Sequence, residues 1–172
     1  MKKLISIFFV LVLLTGFSSL ETNAQEIKLG GGMVLETDNP PFGFQFKGTY
    51  GLDMLLENLS GSVEFGIFLP KTTTYWKYSR WAIDVDGNWV FWNTGDFDFY
   101  ALGGLNISHY SAKTNDSYWG FDENITETKP GLNMGAGVNF NFSSNMSAYS
   151  EFKYIISKYD VAVFNVGVLF AL

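Results

Sequence analysis

The sequence predicts an all-β protein: an eight-stranded antiparallel up-and-down transmembrane barrel over residues 25–172, preceded by a cleavable signal peptide over residues 1–24. Three observations carry this reading. Eight segments alternate apolar and polar residues with period two, as strands with two unlike faces do. Apolar residues make up 47% of the chain, yet beyond the N-terminus no apolar run reaches the length of a spanning helix. The last alternating segment runs to the final residue, and its bare apolar edge would invite aggregation unless it closed onto the first.

The N-terminus has the grammar of export. Lys2 and Lys3 give a positive start, residues 4–14 are apolar apart from Ser6, and Thr22-Asn23-Ala24 offers small residues for cleavage before Gln25. Removing Lys2, Lys3 and Glu21 changes 11 basic and 17 acidic residues to 9 and 16, a net charge of −7. Such a chain has no basic face to displace counterions, which excludes a nucleic-acid partner. Cysteine is absent, so disulfides and thiolate metal sites are excluded as well.

The elements follow in order. Ile27, Leu29, Gly31, Met33 and Leu35 alternate with Lys28, Gly30, Gly32 and Glu36, and Thr37-Asp-Asn-Pro-Pro41 turns the chain. Phe42, Phe44, Phe46, Gly48, Tyr50 and Leu52 alternate with Gln45, Lys47, Thr49 and Asp53. Val63, Phe65, Ile67 and Leu69 alternate with Ser62, Glu64 and Gly66, and Pro70 is expected to stop that strand. Trp81, Ile83, Val85, Gly87, Trp89 and Phe91 face away from Ala82, Asp84, Asp86 and Asn88. Asp86-Gly87-Asn88 resembles a hairpin turn, but the alternation runs through it, and Asn93-Thr-Gly-Asp96 is the better turn.

Phe97, Phe99, Ala101, Gly103, Leu105 and Ile107 form the fifth segment, against Asp98, Tyr100, Asn106 and Ser108. Leu132, Met134, Ala136, Val138, Phe140 and Phe142 form the sixth, closed by Ser143-Ser-Asn145. Ala148, Ser150, Phe152, Tyr154 and Ile156 form the seventh, against Tyr149, Glu151 and Lys153. The eighth is Val161 to Leu172, with Phe164, Val166, Val168, Phe170 and Leu172 on one face.

Alternation does not say which face points inward, but volume does. The bore of eight strands is only just wide enough to be filled by side chains. The rings of Phe42, Phe44, Phe46, Phe65, Trp81, Trp89 and their like would overfill it, whereas the glycines, amides and charged groups of the other face fit. The rings therefore belong against lipid, and Phe42, Trp81, Trp89, Phe91, Phe97, Phe99, Phe140, Phe142 and Phe170 are expected to form the interfacial girdle. Lys28, Lys47, Glu64, Asp84, Asp86, Glu151 and Lys153 are expected to line the lumen. They pair into a plug, because buried charges require partners; a small passive pore is the alternative.

With both termini on the periplasmic side, residues 53–61, 92–96 and 143–145 become periplasmic turns, and residues 37–41, 70–80, 111–131 and 157–160 external loops. The 53–61 connection is long for its place, and Met54-Leu55-Leu56 gives it helical character.

Beyond these residues, the chain resembles the small outer-membrane β-barrels of Gram-negative bacteria, the OmpA/OmpX-type "porin family". The signal, Phe99-Tyr-Ala-Leu-Gly-Gly-Leu105, Gly131-Leu-Asn-Met-Gly-Ala-Gly-Val138, Ser150-Glu-Phe-Lys-Tyr154 and the terminal strand carry the likeness over the whole mature chain. The resemblance implies a lone barrel in the outer membrane. It implies contact with lipid and lipopolysaccharide, insertion by the outer-membrane assembly machinery, and a structural, adhesive or surface-interaction role played by external loops toward an extracellular protein or other surface partner. One departure is at the end: such chains often close on an aromatic residue, and here Leu172 follows Phe170 by two places.

Chemistry is thinly signalled. His109, Ser111 and Glu123 have the residue types of a hydrolytic triad, and the His-x-Ser spacing is similar to that of outer-membrane lipid A deacylases. In those enzymes the Glu lies on a strand near the chain end, whereas Glu123 is expected in a loop. A rim histidine beside a solvated serine is the reading preferred, and no enzyme activity is expected. Tyr75, Trp76, Tyr118 and Trp119 are loop aromatics suited to contacting a partner. The carboxylates of the 111–131 loop lack the ligand order of a calcium loop, so neither metal nor cofactor is expected.

Overall fold

In the computed structural model, which describes residues 27–37, 41–114, 124–158 and 160–172, the chain forms eight antiparallel strands closed into one barrel. They are β1 (Ile27–Glu36), β2 (Phe42–Gly51), β3 (Leu59–Thr72), β4 (Trp76–Asn93), β5 (Phe97–Thr114), β6 (Asn124–Ser143), β7 (Met146–Ile156) and β8 (Val161–Ala171). Each strand pairs with its chain neighbours, and β1 pairs with β8 from Lys28↔Ala171 to Glu36↔Val163. The terminal strand thus finds its partner, and no edge is left open. The signal segment lies outside the described residues.

The two faces separate as volume demands. Val63 is 57% exposed and Leu105 60%, whereas Glu64, Glu151 and Lys153 are each 1% exposed. In a soluble domain that pattern would be inverted; here the packed interior is polar and the outer surface apolar. Gly95 makes the turn between β4 and β5 with φ 86°, in a region that favours glycine.

Three expectations are corrected. Pro70 does not end the third strand. The ladder of β3 and β4 shifts register between Phe68 and Lys71, and the proline falls in that irregularity, where its missing N–H costs no ladder bond. Residues 70–80 are accordingly not a loop: β3 runs to Thr72, β4 starts at Trp76, and Thr73 N–H donates to Trp76 O at 2.7 Å. The 111–131 connection is also much shorter than expected, because β5 and β6 stay paired as far as Lys113↔Asn124. The two loop corrections have one cause. Apolar alternation marks only the part of a strand that lipid touches, while the backbone ladder continues above it through Thr126, Thr128 and Ser111. The hairpin of β4 and β5, the one-strand reading of Asp86-Gly87-Asn88 and the turn after Asn93 stand as expected.

Candidate functional site: a filled polar bore

The alternation of β2, β3, β4 and β7 directs Lys47, Glu64, Asp84, Asp86, Glu151 and Lys153 into the bore. Register sets Lys47 opposite Glu64, Glu64 opposite Asp84, and Glu151 opposite Asn165. Lys47 Nζ lies 3.0 Å from Glu64 and also pairs with Glu151 across the bore. Lys153 Nζ lies 2.6 Å from Glu64, 3.3 Å from Asp86 and 3.6 Å from Asp84.

Two lysines therefore serve four carboxylates, and neutral donors add hydrogen bonds to Asp84, Asp86 and Glu151. Asn133 donates to Asp84 at 2.8 Å and to Asp86 at 2.7 Å. Asn106 donates to Asp84 at 2.7 Å, and the Tyr100 hydroxyl donates to Glu151 at 2.7 Å. Gln45 donates to the Tyr149 hydroxyl at 2.9 Å, and Lys47 Nζ stands 4.9 Å from the centre of the Tyr149 ring.

Glycines make room for the two tyrosine rings. A Cβ on Gly137 would lie 2.7 Å from Tyr100 Cε2, and one on Gly167 would lie 2.6 Å from the Tyr149 hydroxyl. Above the charged level, toward the 73–75 and 157–160 connections, Val34, Phe68, Ala82, Ile155, Val161 and Val163 form a buried apolar cluster. Arg80 caps that cluster. It pairs with Glu36, donates to Ser108 at 2.8 Å, and lies 4.7 Å from the ring centres of both Phe68 and Tyr110. Ser108 in turn donates to Asn106 at 2.7 Å, which joins this cap to the carboxylate cluster.

Open space remains at each end. A cup of about 580 Å³ at the loop end is lined by Lys71, Tyr78, Tyr110, Glu127, Lys129 and Asp160 among others. At the opposite end, cavities of about 250 and 280 Å³ both touch Lys28 and Asp98, and the first reaches Lys47 and Tyr100.

Of the residues expected in the lumen, Lys47, Glu64, Asp84, Asp86, Glu151 and Lys153 meet in one cluster, while Lys28 stands apart at the terminal mouth. Sequence reasoning missed Arg80, which it put among loop residues and which is 3% exposed inside the barrel. Extending the alternation back from Ala82 would have found it. Tyr100, Tyr149, Asn106 and Asn133 were on the inward face, but nothing in a single strand says which carboxylate an amide on another strand will meet.

The girdle residues face outward and divide into two groups. Trp92, Phe99, Phe97, Phe140 and Phe142 run as a chain of ring contacts 4.8–6.4 Å between centroids at the terminal end, with Trp89 and Phe91 beside them. Phe42 stands with Phe44, and Trp81 with Phe65, nearer the loop end; Phe170 is 47% exposed on β8.

His109 stacks on Trp81 with centroids 5.2 Å apart, and its Nδ1 lies 2.9 Å from Thr128 Oγ1. Ser111 donates to Asn124 at 3.3 Å, and Glu123 lies outside the described residues. Tyr75 is 58% exposed and Trp76 half-buried, while Tyr118 and Trp119 lie outside the described residues. Among the described residues no group of His, Cys, Asp and Glu could hold a metal ion.

An apolar outer wall around a charged, filled bore, closed by pairing of the first and last strands, defines an integral outer-membrane β-barrel. The chain belongs to the family described as "Outer membrane protein beta-barrel domain", whose model matches residues 9–171. It is thus a protein of the Gram-negative outer membrane. No curated protein matches it. Among solved structures, it is similar to the attachment invasion locus protein Ail of Yersinia pestis (14% identity, TM-score 0.58). It is also similar to the N-terminal β-barrel domain of Pseudomonas aeruginosa OprF (15%, 0.61) and to Neisserial surface protein A (14%, 0.60). Each of the three comparisons covers 86% of this chain and 97% of the other. At such identities the likeness is one of fold.

Proposed function

We propose that this barrel works at its outer rim, as a structural and surface-interaction protein, and that its lumen is a plug. The single observation that carries this reading is the stack of two layers across the bore: the lysine–carboxylate cluster around Lys47 and Lys153, and the apolar layer of Val34, Phe68, Ala82, Ile155, Val161 and Val163 above it. An ion on this path would have to displace buried salt bridges and then cross an apolar constriction. The loop end faces the exterior and the termini the periplasm, and the 580 Å³ cup, with Tyr78, Tyr110, Lys71 and Lys129 in its wall, is the surface offered to a partner. Ail has been crystallised in complex with a heparin analogue, sucrose octasulfate, which supports ligand binding as a role open to a barrel of this fold.

Planar-bilayer recording of the refolded protein tests the plug. The expected record has no discrete conductance steps; regular steps would favour the pore, a reading to which the terminal-end cavities reaching Lys47 lend support. The hydrolase reading has no such support, since His109 is engaged by Thr128 and Trp81. Lipid A mass spectra from cells carrying Ser111→Ala are expected to be identical to those of the wild type.

A further inference from the structure

The connection between β2 and β3 is long and apolar for a turn at the terminal end. Met54 is 75% exposed, Leu55 77% and Leu56 53%. It is nevertheless built as one defined shape. Leu52 N–H donates to Leu59 O at 2.8 Å, Leu55 N–H to Leu52 O at 2.8 Å, and Leu59 N–H to Leu56 O at 3.1 Å. Asp53 Oδ1 accepts from Asn58 N–H at 3.0 Å, and Asn58 takes φ 64°, the left-handed conformation that asparagine tolerates and that ends a helical turn.

Its place along the barrel is fixed by the neighbouring strand. β3 begins at Leu59, opposite Trp89, but β4 runs on to Asn93, and Val90 N–H donates to Asn58 O at 3.0 Å. The turn therefore lies alongside Phe91 and Trp92, at the depth of the aromatic band. Leu52 at its base lies over Gly61, whose added Cβ would meet Leu52 Cδ1 at 3.3 Å. The aliphatic tip thus continues the outer face and does not hang below it.

We propose that Met54, Leu55 and Leu56 are a membrane anchor, a prefolded tip seated among the headgroups and first acyl carbons of the leaflet that meets the terminal end. Its occupant is the lipid surface itself. A tip of large aliphatic side chains gains by leaving water, and because its backbone is already ordered, little conformational freedom is lost on insertion. Glu57 and Asp53, whose Oδ1 accepts from Asn58 N–H, give it no cationic attraction to anionic lipid, so the contact is apolar and needs no anionic headgroup. The proposal rests on reading the outer face of the barrel as lipid-facing.

The chain has no cysteine, so single spin labels report cleanly. Leu55→Cys, Leu105→Cys on the outer face and Ser144→Cys in the polar turn between β6 and β7 are labelled with a nitroxide. The protein is refolded into phosphatidylcholine vesicles, and each variant is checked for folding by its heat-dependent gel mobility. The label at 55 is expected to collide with oxygen several-fold more often, relative to an aqueous nickel chelate, than the label at 144. Adding phosphatidylglycerol should leave that ratio unchanged. A label at 55 in the Met54→Asp, Leu56→Asp background is expected to return to water. If the label at 55 reads water while that at 105 reads lipid, the anchor is overturned alone; if 105 also reads water, the lipid-facing wall falls with it. Persistence of lipid contact in the Asp background would show that the label, not the tip, seeks the bilayer, and that also overturns the anchor.

Discussion

Lys153 pairs with three carboxylates in the bore, and its removal is the clearest residue-scale test. Lys153→Met leaves Asp84 and Asp86 without a cation and leaves Glu64 with Lys47 alone. Breaking one side of a buried ion pair costs about 3–5 kcal/mol, which would appear as a lowered urea midpoint in detergent micelles. Adding Asp86→Asn to that variant should recover part of the loss, because one of the two stranded charges is then removed too. Gly137→Ala probes packing without touching charge. The new methyl meets the Tyr100 ring and pushes its hydroxyl from Glu151, with an expected cost of about 1–3 kcal/mol. Replacing Tyr100 by Ser should absorb much of that cost, so the double variant loses less than the two single variants together.

At the scale of elements, the sequence was most readable where lipid enforces contrast between faces. All eight strands, the turn at Asn93–Asp96 and the inward position of Glu64, Asp84, Asp86, Glu151 and Lys153 follow from alternation and bore volume. The upper thirds of β4, β5 and β6 did not, because residues such as Ser79, Ser111 and Thr126 lie where both faces of a strand tolerate polar groups. Arg80 was lost for the same reason: it belongs to the strand extension that reading Pro70 as a stop excludes. The identities of partners across the bore, Asn133 with Asp84 and Asp86 above all, depend on the shear of the closed barrel, which no single strand encodes. Charge scanning checks where the lipid stops. Val63→Arg should cost about 2–4 kcal/mol on the apolar wall, whereas Thr126→Arg, beyond it, should stay within about 0.5 kcal/mol of the parent.

For the whole molecule, closure and the sidedness of the wall are one claim. If β8 pairs with β1, the aromatic residues have nowhere to go but outward, and the bore must accommodate its charges by pairing them. Closure predicts that the unheated protein in detergent migrates differently from the boiled protein on a gel, and that the single-residue losses above appear in one cooperative transition. The sidedness is tested most directly by fluorescence quenching. Variants retaining only Trp81 or only Trp89, refolded into vesicles, are exposed to brominated-acyl lipids and to aqueous iodide. Strong quenching by the brominated chains and little by iodide is expected at both positions; quenching by iodide, or indifference to the brominated lipid, would place the rings inside the barrel and overturn the lipid-facing wall.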